Sequence, residues 1–155
     1  MHTYQVLQPD GDFIATETVL AEPLAGQVRV RIHASGVNPL DIKIRSGAAP
    51  HARQSLPATL GLDMAGVVEA VGPGVASFRI GDEVYGMVGG VGGIQGTLAQ
   101  YIVTATELLA HKPKSLTMRE AAALPLVAMS SVAFCAPRGE LMTISHLPST
   151  AMRFS

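Results

Sequence analysis

The 155 residues predict a mainly β fold with short helices, and three observations carry that expectation. The run QVRVRIHAS (27–35) alternates apolar and polar side chains, the period of a strand with one buried face. Two β-rich runs, YQVLQ (4–8) and FIATETVL (13–20), flank the turn PDGD, a hairpin signal. Further short β runs are punctuated by glycine turns, and the helical patterns between them are brief.

Taken in order, the hairpin comes first. In the alternating run that follows, Val28, Val30, Ile32 and Ala34 share the face expected to be buried. Arg29, Arg31 and His33 share the other, so His33 reads as a solvated strand residue. NPLDIKIRSG (38–47) predicts a short helix. Asn38 suits the cap, Pro39 the first helical position, and Asp41 the first turn near the positive end of the dipole. AGVVEAVG (65–72) and GDEVYG (81–86) predict strands, with Asp63 and Asp82 read as turn and packing residues. GGVGGIQG (89–96) holds five glycines in eight positions. A dinucleotide turn needs a third glycine where Gln95 stands, and a helix after it. TLAQYIV (97–103) reads instead as a strand, so the loop is expected to be a mobile connection. LTMREAAALP (116–125) opens on Thr117 with Glu120 three residues on, a capping box, and predicts a helix that stops or kinks at Pro125. LVAMSSVAF (126–134) continues as a second helix. Residues 135–155 change character and are expected to form an atypical tail with at most a short strand at 141–145.

Composition bounds the function. A net charge of −1 gives no electrostatic case for nucleic acid or an anionic membrane. The first residues lack the basic and apolar segments of a signal peptide. The lone cysteine, Cys135, excludes an internal disulfide and a cysteine-based zinc cluster, and suits a reducing cytoplasm. Charged residues make up 15%, against about 25% in ordinary soluble domains. Such an apolar chain is expected to cover one face with something else, a further domain or a second copy.

The motifs GVNPLDIKIRSG (36–47), LGLDMAGVVEAVGPGV and FRIGDEVYG within 60–86, LAQYIV (98–103) and SLTMREAAALPLVA (115–128) occur in an order and spacing that resemble one family. It is the medium-chain dehydrogenase/reductase superfamily, in its N-terminal catalytic domain, and the zinc-less, quinone oxidoreductase-like branch in particular. The resemblance implies a GroES-like, partly open β-barrel over residues 1–134, with the family's Rossmann domain absent from this chain. It implies NADP(H) or NAD(H) as cofactor of a full-length relative, and hydride transfer to a quinone or an α,β-unsaturated carbonyl. This chain alone is expected to be an inactive fragment that binds cofactor little. Where zinc members carry a histidine this chain has Leu62, and where they carry a cysteine it has Asn38, so no metal is expected.

By the same resemblance, Asn38 and Asp41 are the catalytic candidates. Asn38, Arg45 and Ser130 are the candidates for contact with the cofactor. Asn38 and Asp41 are equally explained as helix-capping residues. The enoyl-thioester branch places a tyrosine where this chain reads SGAAPHARQS (46–55), leaving His51 as the only group there suited to proton transfer near neutral pH. Two alternatives stand beside the oxidoreductase reading: a non-catalytic GroES-like module that binds a protein or self-associates, and a fragment of an alcohol dehydrogenase-like enzyme.

Overall fold

The computed structural model describes residues 1–135. It is mainly β, in two antiparallel sheets. The first sheet has the order β2-β1-β4, with β1 at His2–Val6, β2 at Phe13–Glu17 and β4 at Ala58–Thr59. The second has the order β7-β3-β5-β6-β8. Its strands are β3 (Gln27–Ser35), β5 (Asp63–Val71), β6 (Glu83–Met87), β7 (Tyr101–Ala105) and β8 (Ala110–His111). Three helices complete it: α1 (Pro39–Arg45), α2 (Met118–Ala122) and α3 (Pro125–Cys135). No parallel, doubly wound sheet occurs among the described residues.

The hairpin β1–β2 forms with Val6 opposite Phe13, as the PDGD turn predicts. In β3 the alternation holds at Val28 and Val30, which are fully buried. Two register shifts, at Arg29/Val30 and Ile32/Ala34, bend the strand, and Ile32 and Ala34 are only half-buried. His33 is exposed, as expected.

Two apolar clusters fix the sheets. One gathers Val28, Val30, Met64, Val68, Val84 and Ile102 from β3, β5, β6 and β7. The other packs Ile44 of α1 on Val6, Leu60 and Leu62. Each such fully buried side chain contributes roughly 1.5–3 kcal/mol. Leu62, where the zinc members place a ligand, is thus a core residue.

The segment 97–105 joins the two sheets. Leu98 accepts from the Tyr4 N–H, and the Gln100 N–H reaches the His2 carbonyl, along β1. Five residues further on, Ala105 faces Gln27 on β3. The ladder of β7 therefore begins at Tyr101, later than the run TLAQYIV suggests, because residues 97–100 serve the first sheet.

The glycine-rich loop connects β6 to β7 and is tied to residues 52–54 on the way. The Gly92 N–H donates to the Ala52 carbonyl at 2.8 Å, and the Gly93 N–H to Gln54 Oε1 at 2.9 Å. A Cβ at Gly90 or Gly96 would strike the backbone of Gly61 or Leu60. These glycines let two chain segments touch, a use that tertiary packing alone reveals.

The helices follow their caps. Thr117 and Glu120 form the capping box of α2, and α3 starts at Pro125 as a separate helix. The suggested strand at 141–145 and the tail lie outside the described residues. No helix of the described residues is long and apolar enough to cross a membrane.

Candidate functional site

Asn38 and Asp41 come together at the start of α1. Asn38 holds the N-cap position with extended backbone, φ −112° and ψ 157°. Its N–H donates to Asp41 Oδ2 at 2.7 Å, and Asp41 Oδ1 accepts from the Gly61 N–H at 3.1 Å. Asp41 thus ties the helix start to the turn before β5. The helix also places Asp41 in its first turn and Lys43 and Arg45 in its last, as its dipole favours.

The Asn38 side chain turns toward Asp63: its Nδ2 donates to Asp63 Oδ2 at 3.0 Å. The same oxygen accepts from the Leu126 N–H at 3.2 Å. Asp63 is 0% exposed, and its Oδ1 meets no donor among the described residues. Asp63, read as a turn and packing residue, is buried at the start of β5 and bonded to both Asn38 and Leu126. Its signal in the sequence was an acid in the otherwise apolar run 60–68. Asp82 does act as a turn residue, accepting from the Arg79 N–H at 2.8 Å.

Burial pushes both carboxyls above the usual carboxylate range. For Asp41 the N–H groups of Asn38 and Gly61 pull back, while the charge of Asp63 pushes further up. For Asp63 the Asn38 amide and the Leu126 N–H pull back.

Beside this network lies a hollow of about 370 Å³ between the β1–β2 hairpin and α1. Tyr4, Phe13, Val37, Ile42 and Leu98 form its apolar walls; Asp41 and Arg45 are the charged residues that line it. Arg45 is anchored there by the hairpin. Its Nε donates to the Gly11 carbonyl at 3.0 Å and its Nη2 to the Asp10 carbonyl at 3.2 Å, with the guanidinium 5.6 Å from the Phe13 ring centre. Asn38, 7% exposed, lies beside the hollow without lining it. Ser130, on α3, and His51, on a short 3-10 turn, are both exposed. Neither lines the hollow.

The residues present do not fit zinc. No group of three or more His, Cys, Asp or Glu among the described residues is placed to hold a metal ion. Nor does the glycine loop fit the phosphates of a dinucleotide. The glycine-loop N–H groups of Gly92 and Gly93 are spent on Ala52 and Gln54, and no helix opens after the loop. An amide such as Asn38 can donate to a carbonyl or carboxamide oxygen.

The two-sheet fold with its short helices is that of a GroES-like domain. The family described as "Alcohol dehydrogenase GroES-like domain" matches residues 24–114, and the chain belongs to it. It is 39% identical over 118 residues to the human mitochondrial NAD(P)H oxidoreductase RTN4IP1, covering 68% of this chain and 29% of that protein. It is 34% identical over 136 residues to the quinone oxidoreductase of Sus scrofa, covering 84% of this chain and 40% of that protein. A solved alcohol dehydrogenase superfamily protein from Novosphingobium aromaticivorans is 54% identical with a TM-score of 0.84, over 84% of this chain and 40% of that one. The chain thus spans well under half the length of each of these relatives.

Proposed function

We propose that this chain is the GroES-like part, residues 1–134, of a zinc-independent, NAD(P)H-dependent oxidoreductase that reduces quinones or α,β-unsaturated carbonyl compounds. The observation that carries the reading is the apolar hollow of about 370 Å³ with Asp41 in its lining and Asn38 beside it. A flat, electron-poor ring suits such walls, and small-molecule sites commonly pair an apolar lining with a few polar groups. The names of relatives support it, among them a 2-methylene-furan-3-one reductase from Solanum lycopersicum, 40% identical over 121 residues.

When bound, the cofactor supplies the hydride. This chain's residues do the rest on the substrate side. The walls exclude water around the ring. An N–H of the Asn38 amide donates to an oxygen that gains negative charge as the carbonyl is reduced, or holds the cofactor's carboxamide. Asp41 keeps Asn38 in place through its N–H. Arg45 and Ser130 remain proposed as cofactor contacts. Zinc independence rests on Leu62 in the core and Asn38 in the site, which also argue against the alcohol dehydrogenase-like alternative. The lone cysteine supports a cytoplasmic location; the mitochondrial relatives name the competing compartment.

The test uses the chain itself, with 1,4-naphthoquinone as probe in a two-dimensional NMR titration. Shifts confined to Tyr4, Val37, Ile42 and Leu98 are expected. Shifts elsewhere, or none at millimolar probe, reject the reading. In a longer protein that retains quinone reduction, Asn38→Ala is expected to lower kcat/KM about 10–100-fold, the scale of one lost oxyanion donor.

A second reading, a module that binds a protein partner or self-associates, is favoured by the exposure of Val19 at 85%, Val37 at 71% and Leu24 at 70%. Sedimentation of the chain separates the two: a strict monomer at high concentration argues against self-association.

A further inference from the structure

We propose that Asp63 is a positioning residue for Asn38, holding that residue's amide nitrogen and the start of α3 on one carboxylate oxygen. The proposal deepens the reading of Asn38 as the polar group of the site.

Asp63 stands among Leu60, Leu62 and Met64, all essentially fully buried. A carboxyl in such surroundings costs stability that an apolar residue would not. What the acid does there is shown by its partners. Oδ2 accepts from Asn38 Nδ2 at 3.0 Å and from the Leu126 N–H at 3.2 Å. Asn38 caps α1, and Leu126 is the second residue of α3, whose N–H has no partner within its own helix. One oxygen therefore joins the beginnings of two helices that lie 88 residues apart in sequence, at Asn38 and Leu126.

Asp63 is itself held. Its main-chain carbonyl accepts from the Gly36 N–H at 2.9 Å and from Thr97 Oγ1 at 3.0 Å. With both carboxylate and carbonyl fixed, the Asn38 amide has one orientation. An acceptor faces it, so nitrogen must point inward; the flipped amide would set oxygen against oxygen. The second N–H on Nδ2 and the Oδ1 acceptor are then left for a ligand. The direction of the Asn38 dipole, which decides whether the site meets an oxygen or a donor, is set by Asp63.

The experiment follows the Asn38 side-chain NH₂ pair and the Leu126 amide by ¹⁵N NMR of the chain, with Val30 and Ile102 amides as markers of the fold. The pair is assigned by its loss in Asn38→Asp. In Asp63→Leu the Leu126 amide is expected to exchange at least tenfold faster. The Asn38 pair is expected to move to free-amide positions, while the Val30 and Ile102 amides stay protected. In Asp63→Asn, which keeps an acceptor oxygen, Leu126 exchange is expected to return to within threefold of the wild type. The Asn38 pair then shifts because its acceptor has lost its charge. An unmoved Asn38 pair in Asp63→Asn overturns the proposal, and that variant decides alone if Asp63→Leu does not fold. These signals need no turnover. Failed quinone binding with the expected NMR changes would remove the functional reading and leave the positioning role standing.

Discussion

Asp41 Oδ1 accepts the Gly61 N–H at 3.1 Å, a bond that crosses 20 residues and pins the first turn of α1 to the approach of β5. Its other oxygen holds the Asn38 N–H at 2.7 Å. Asp41→Ala leaves two buried donors without an acceptor. It is expected to lower stability by about 2–3 kcal/mol, with Asp41→Asn losing less. Urea unfolding of the chain measures both.

The two buried acids give stability a pH dependence of defined sign. Burial pushes Asp41 and Asp63 above their ordinary value of 3.8. In that window the folded chain keeps protons that the unfolded chain has released. Their contribution is thus fully favourable below 3.8 and is lost as pH rises through the folded values. Glu120 runs the other way. The Thr117 N–H and hydroxyl lower it from 4.5, so its contribution is present above that value and is lost as pH falls through the folded one. The stability of an Asp41→Asn, Asp63→Asn variant relative to wild type should rise with pH from 3.5 upward, on the scale of that 3.8 threshold. A difference that stays flat from pH 3.5 to 7, a range spanning the 3.8 reference, contradicts the assignment.

Gly61 adopts φ +100°, and a Cβ there would strike Thr97 Oγ1. Gly61→Ala combines left-handed strain with that collision. A loss of at least about 1–3 kcal/mol is expected, read as a lower melting temperature.

Thr117→Ala removes the side chain that accepts from the Glu120 N–H at 3.3 Å and donates to the Glu120 carboxylate at 2.8 Å. Loss of such a cap costs about 1 kcal/mol. Faster hydrogen exchange confined to α2 is the expected signature.

Added zinc should leave the melting temperature unchanged. A site filled at a hundred times its Kd would add about 2.7 kcal/mol. An upward shift would therefore reveal ligands that Leu62 and Asn38 do not supply.

The strands were legible because their signals are local. The alternation of QVRVRIHAS and the PDGD turn each specify one element without outside help. So does the Thr117–Glu120 box. The bulges in β3 were not legible, since they arise from pairing with β5. The site was half legible. Asn38 and Asp41 lie three residues apart, and their pairing is a short-range matter. Asp63 was missed because its partners, Asn38 and Leu126, come from 25 residues before and 63 residues after it. The tethers of the glycine loop are illegible for the same reason. Its glycines answer to the backbone at Leu60 and Gly61, not to their own neighbours in sequence.

Residues 97–105 serve β1 first and β3 afterwards. During synthesis, therefore, β1 lacks its neighbour along His2–Tyr4 until residue 100 has left the ribosome, and β3 lacks β7 until residue 105 has. Until then the hairpin and the long strand β3 each present an open flank to any other nascent chain. The order of manufacture places the closing piece late, and the same nine residues then seal both exposures in one pass.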